Sequence, residues 1–334
     1  MNCIPSGLTV SKKVLLTGAG FTKDFGGFLA SEMWAFIFNN TSLDNHQRIK
    51  DILRHEFSYE SVYHEVIENP KYDKKEKDAI KEAVKSAYGR LDGSIRGYRT
   101  RNNRTADSTS LTSFIGRFHD MVNSRGFFFT LNQDLFVERY CSEANISTPG
   151  IRLQGIEQEN TIPESDYELL PGESKVSDDF KEDCPSNPLR SNKLHYVKLH
   201  GSCNWRDSEG DSYMVIGKNK SEQISREPLL RYYFKIFQEV LSKGNIELFV
   251  IGYGFGDEHI NKVIVDSIRD NGLALHVMNP DPPEKFKKIL TDDSPHCENL
   301  WDNLRAYYPY NLSRVFPQND KAVEYEQIMN NYFQ

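Results

Sequence analysis

Three polar residues stand where an apolar run gives way to glycine or a turn, and each can move a proton or orient a hydroxyl. His200 follows the apolar stretch His195–Leu199 and precedes Gly201. Imidazole is the side chain that exchanges protons near neutral pH, and the adjacent glycine predicts a close backbone approach. Asn132 and Asp134 flank one residue just past the run Gly126–Leu131. An amide and a carboxylate at such a place can hold a ribose hydroxyl or a water. Plainer roles remain open: a structural histidine, and an Asx turn or helix N-cap for the other two.

Two glycine-rich turns accompany them. Gly18-Ala19-Gly20 follows the apolar run ending at Thr17, and Gly252-Tyr253-Gly254-Phe255-Gly256 follows a second one. Gly18 and Gly20 permit a tight turn and an approach of backbone N–H groups to a pyrophosphate at the start of the next helix. The third glycine of the full dinucleotide fingerprint is replaced by Lys23, so a simple strand-to-helix turn is the alternative. Asp257 is expected to cap a helix starting near Glu258.

The elements that must position these groups alternate. Lys13–Thr17, Gly126–Leu131, His195–Leu199, Ile246–Tyr253 and Ala274–Asn279 read as buried parallel strands, being short apolar runs bounded by turn residues. Helical spacing is evident from about 27 to 39, at Pro228–Ser242 and at Glu258–Asp270, the last closed by Asn271-Gly272. Ligands of open parallel sheets bind beyond the carboxyl ends of the strands, and five polar strand ends gather there, the fifth being Asn279-Pro280-Asp281. The fold class is α/β, a Rossmann-like doubly wound parallel sheet over residues 1–40 and 126–334. Residues 41–125 are charged and amphipathic and predict a helical insertion. Residues 152–192 are acidic and proline-bearing, which predicts an irregular surface stretch.

Composition narrows the function. Lysine and arginine number 41 against 48 acids, a net charge of −7, which opposes a protein that grips nucleic acid mainly through phosphates. The basic run Arg96, Arg99, Arg101 and Arg104 reads as a solvated loop. Five cysteines are scattered without C-x-x-C spacing, so neither a zinc ribbon nor a disulfide framework is indicated. With no secretory signal and no apolar span, a cytoplasmic location is expected.

Leu16-Thr17-Gly18-Ala19-Gly20-Phe21-Thr22, Thr130-Leu131-Asn132-Gln133-Asp134, Lys198-Leu199-His200-Gly201-Ser202-Cys203-Asn204-Trp205 and Ile251-Gly252-Tyr253-Gly254-Phe255-Gly256-Asp257 resemble, in order, the signature blocks of the sirtuins. They look most like the divergent bacterial sirtuin-like proteins of anti-phage defence. The resemblance implies that Gly18, Ala19, Gly20, Phe21 and Thr22 hold the phosphates and nicotinamide ribose of NAD. It implies that Asn132 and Asp134 line the nicotinamide pocket and that His200 is the catalytic histidine. Gly252, Tyr253 and Gly254 would approach the phosphate or adenosine side, and Asn279 the adenosine ribose. The zinc module of the classical deacylases, with its two pairs of close cysteines, has no counterpart here.

That departure favours NAD hydrolysis, with water as acceptor and NAD as substrate, over peptide deacylation. No metal is expected, because the pyridinium of NAD is already a good leaving group. Partners implied by the resemblance are a HerA-type ATPase or a short Argonaute, and the amphipathic 41–125 stretch suggests a homo-oligomer. Alternatives are an NAD-dependent deacylase or ADP-ribosyltransferase, and a non-catalytic module that senses NAD or ADP-ribose.

Overall fold

In the computed structural model, the residues described are 3–100, 104–119, 124–141, 144–151, 167–207, 212–318 and 322–333. The main sheet is built from β1 (Val10–Thr17), β2 (Arg125–Thr130), β3 (Ile146–Ser147), β5 (Leu194–Lys198), β8 (Glu247–Ile251), β9 (Ala274–Met278) and β10 (Leu304–Tyr308). Their order across the sheet is β10-β9-β8-β1-β2-β5-β3, and every pairing is parallel. From β1 the strands run outward through β2 and β5 on one side, with the short β3 added beyond β5, and through β8, β9 and β10 on the other, the arrangement of a doubly wound Rossmann-like sheet. Its order reverses between β1 and β8, where such folds open a crevice beyond the strand ends.

Period-two alternation divides the core. Leu15, Phe128, Tyr196 and Phe249 face one side, whereas Val14, Leu16, Phe127, Phe129, Val197, Leu248 and Val250 face the other. Both sides are covered, which explains why the central strands are apolar throughout. On the first side lie α1 (Ala30–Phe38), α2 (Gln47–His55), α3 (Tyr59–Glu68), α4 (Lys74–Arg96), α5 (Ser108–Gly116) and α6 (Phe136–Tyr140). Asp73 and Glu76 form a reciprocal capping box at the start of α4, and Ile80, Ala83, Val84, Ala87, Leu91 and Ile95 form its buried stripe. The helices of 41–125 thus share one continuous apolar cluster with the sheet.

A short α7 (Glu173–Asp179) precedes β5, while α8 (Lys220–Arg226), α9 (Pro228–Leu241) and α10 (Glu258–Asn271) follow it. Proline opens α9, and Gly272 closes α10 in the left-handed region at φ 68°. Apolar residues of α9 and α10 cover the second side. A small second sheet has the order β4 (Glu168–Leu169), β6 (Gly201–Arg206), β7 (Ser212–Met214), with β6 and β7 antiparallel.

Several features differ from the sequence expectation. The Gly18 turn feeds not a helix but two short 3₁₀ turns, and α1 begins only at Ala30. Strand β10 and the β6–β7 hairpin are additions. Within 152–192, residues 152–166 lie outside the described set, while 173–179 is helical. Of the basic run, Arg99 is not simply solvated: its guanidinium sits 5.0 Å from the centre of the Tyr140 ring, and Arg101 lies outside the described residues. No helix among those described is long and apolar enough to cross a membrane.

Candidate active site

The crevice between β1 and β8 is closed at its base by backbone meeting backbone. Gly18 N–H donates to the Ile251 carbonyl at 3.0 Å, and Gly20 N–H to the Gly252 carbonyl at 2.9 Å. A Cβ on Gly18 would lie 2.8 Å from the Tyr253 Cα, and one on Gly20 equally 2.8 Å from the Gly252 Cα. Gly252 itself sits at φ 64°, where a side chain is strained and would press on the Gly20 backbone. Both glycine turns are therefore required by each other. Their N–H groups at 18 and 20 serve the contact between the turns rather than pointing outward.

Past β2, buried hydroxyls of Thr17 and Thr130 hydrogen-bond at 2.8 Å and fix the ends of neighbouring strands. Thr130 Oγ1 then accepts from Asn132 N–H at 3.1 Å. The Asn132 side chain is buried against the cleft, and its Nδ2 has no hydrogen-bond partner among the described residues. Gln133 ties three elements together. Its Nε2 donates to the carbonyls of His200 (3.2 Å) and Val215 (2.8 Å), and its Oε1 accepts from the Tyr88 hydroxyl of α4. Asp134 is held on both carboxylate oxygens, by Thr22 Oγ1 at 2.9 Å and by Phe136 N–H at 3.1 Å. Burial pushes its carboxyl up, with the nearby Lys198 ammonium opposing. This Asx turn sets the loop and pins Thr22.

His200 leaves β5 and enters β6 through Gly201, whose φ of 77° and approach to the Tyr213 carbonyl meet the expectation of close backbone contact. Its Nε2 lies 3.0 Å from the Nε2 of His259 on α10. Neutral imidazoles at that distance take opposite protonation at the facing nitrogens, one donating and one accepting. Burial lowers the His200 pKa to about 3, aided by Lys220 and His259 and opposed by Asp257, so the ring is uncharged at neutral pH.

Asp257 corrects an expectation. It occupies the N-cap position of α10 but makes no side-chain cap, because Lys220 holds its carboxylate at 2.8 Å. A charge-assisted bond of this kind outcompetes a neutral amide. Burial alone would raise the Asp257 carboxyl; the charge and hydrogen bond of the Lys220 ammonium oppose it, and the carboxyl is held below the usual carboxylate range. Lys220 also meets Glu60 of α3 at 2.7 Å.

Asn132, Gln133, Asp134, His200, Asp257 and Lys220 line one cavity of about 610 Å³ at the carboxyl ends of the strands, within the range of small-molecule and cofactor sites. Gly18, Ala19, Gly20, Asn132, Asp134 and His200 all face it, as do Gly252, Tyr253, Gly254 and Asn279. Phe21 and Thr22 do not: the Phe21 ring is buried edge-on against Phe128 and Phe136, and Thr22 stands behind Asp134. Tyr253 contributes backbone, since its hydroxyl is spent on Asn261 and the Asp257 N–H. Sequence reasoning missed Glu60, Lys220 and His259. The Asp257-x-His259 spacing beside a glycine turn was the available signal for His259; Glu60 and Lys220 carry no local one.

Among the described residues the cysteines gather into no metal-ligating group, in keeping with the missing zinc module. A comparison with curated proteins returned no match. A family model described as a SIR2-like domain matches residues 126–305, more than half of the chain. That span carries β2, β5, β8 and β9, and with them Asn132, His200 and the second glycine turn. The chain belongs to the SIR2-like family, whose members are generally NAD-dependent enzymes, and it sets that domain on a Rossmann-like sheet.

Proposed function

We propose that the cleft binds NAD and breaks its nicotinamide–ribose bond, with water as acceptor, giving nicotinamide and ADP-ribose. The observation that carries the reading is Asn132: a buried carboxamide whose Nδ2 finds no partner among the described residues and faces the same cavity as an uncharged His200. Leaving a buried donor unmade costs about 1–3 kcal/mol, which a ligand carbonyl, hydroxyl or bound water removes. The NAD phosphates would lie along the paired turns of Gly20 and Gly252, with the adenosine ribose toward Asn279.

Bond cleavage sends the electron pair to the ring nitrogen, and nicotinamide leaves neutral while positive charge develops on the ribose. Asn132 orients the attacking water or a ribose hydroxyl. His200, unprotonated, accepts the proton that water loses as it bonds to the anomeric carbon. Asp134 acts through Thr22 and the loop it sets. Water as acceptor is favoured over acyl-lysine because the cysteine pairs of the deacylase zinc module are lacking. In bacteria such an activity would deplete NAD in anti-phage defence, under control of a partner such as a HerA-type ATPase or short Argonaute, or of self-assembly.

The test is nicotinamide release from NAD by the purified chain without peptide, beside His200→Ala and Asn132→Ala. Release that both substitutions abolish supports hydrolysis. Tight NAD binding with no release, alone or with the neighbouring gene product, would instead make the chain a sensor.

A further inference from the structure

NAD cleavage as proposed uses one of three metal-ligating side chains that converge at the back of the cleft. His200, Asp257 and His259 each offer a ligand atom, and the three atoms lie within 4.8 Å of one another. The imidazole nitrogens are already 3.0 Å apart. Tetrahedral zinc with nitrogen ligands at about 2.0–2.1 Å holds them roughly 3.3 Å apart, so the rings need open only slightly.

Charge favours a cation there. Glu60 and Asp257 bring two carboxylates against the single ammonium of Lys220. Lys220 occupies Oδ1 of Asp257, which leaves the other oxygen for a metal. The donors stand on fixed supports: His200 at the β5–β6 junction, Asp257 and His259 at the start of α10, with the Phe234 ring 5.7 Å from that of His259. A second cavity, of about 910 Å³, is lined by His259 and shares Glu60, Lys220, Gly256 and Asp257 with the first, giving an ion a route that does not cross the NAD cleft.

We propose that His200, His259 and Asp257 form a binding site for a zinc-type divalent transition-metal ion, which inhibits the enzyme. A metal bound to the His200 imidazole draws electron density from the ring and removes it as the acceptor of the water proton. The inhibition rests on His200 being the base; the site does not.

Cobalt(II) titration of the full chain without NAD, followed by visible absorption, tests it. The expected result is tetrahedral d–d bands saturating at one metal per chain, with no thiolate charge-transfer band. His259→Ala and His200→Ala should weaken binding by more than about 100-fold, beyond the loss of an outer-shell partner. His259→Gln, which keeps a polar side chain of similar reach, should do the same with unchanged circular dichroism. Lys220→Gln should tighten binding by about tenfold by removing a neighbouring positive charge. Absence of the bands, their survival in the histidine variants, or a thiolate band would overturn the site. If cobalt binds as expected yet zinc leaves nicotinamide release untouched, the site stands and the assignment of His200 as base fails.

Discussion

The carboxylate of Glu60 lies 2.7 Å from the ammonium of Lys220, so a helix of the 41–125 segment is bonded to the wall of the cleft. Lys220 in turn holds Asp257, and its removal leaves two half-buried carboxylates facing each other. Lys220→Met should cost about 2 kcal/mol in urea denaturation, less than a fully buried broken pair because both acids keep some contact with water. Glu60→Gln should cost under about 1 kcal/mol, because Asp257 still neutralises the lysine. Equal stability of Lys220→Met and the parent chain would show that the bridge contributes nothing.

Asn132 should trade stability against activity. Truncating it removes an unmade buried donor, so Asn132→Ala is expected to melt within about 1 kcal/mol of the parent. Nicotinamide release should nevertheless fall by more than about 100-fold, the scale of losing a positioned polar group in the transition state. A variant that unfolds easily would mean that the amide is a structural member after all.

The paired glycine turns make a sharper case. Gly20→Ala places a methyl group against the Gly252 backbone, and Gly252→Ala adds strain at positive φ. Each should destabilise by more than about 2 kcal/mol. Because neither chain can step back without parting β1 from β8, NAD affinity measured by calorimetry should fall along with stability. Retained affinity in both would argue that NAD does not lie along these turns.

Acid should unfold the protein early. Burial lowers His195 and His276 to about 4 and His200 to about 3, against 6.5 for a free imidazole. Below that value the unfolded chain takes up protons that the folded one refuses. Stability is therefore full above pH 6.5 and lost as pH falls toward the folded values. The slope should be about 1 kcal/mol per pH unit for each histidine in that window. Urea midpoints that stay flat from neutrality to about pH 5 would contradict it.

The strands that position the site were legible because each is an apolar run buried on both faces and stopped by glycine or a polar turn. Strand β10, with Arg305 exposed and its neighbours half-buried at the sheet edge, lacks that signature. The β6–β7 hairpin starts one residue after His200, where sequence gives a strand end and nothing to announce a change of sheet. Asn132 and His200 could be named from their places past strands. Lys220 and Glu60 could not, because they are 160 residues apart and meet only through folding. Gly18 and Gly20 stood out in the sequence as a possible phosphate turn; the structure supplies a steric reason for them, the contact with the second glycine turn.

The apolar cluster that runs unbroken from Leu15 and Phe128 through Ile80, Val84 and Leu91 bears on how such a chain can change over evolutionary time. A descendant that discarded 41–125 would bare much of one side of its sheet and lose Tyr88 and Glu60, both of which reach the cleft. Loss of that segment is viable only if another covering layer replaces it in the same step. Divergence in this lineage should accordingly accumulate as substitutions on the outer surfaces of those helices, with their number and order retained.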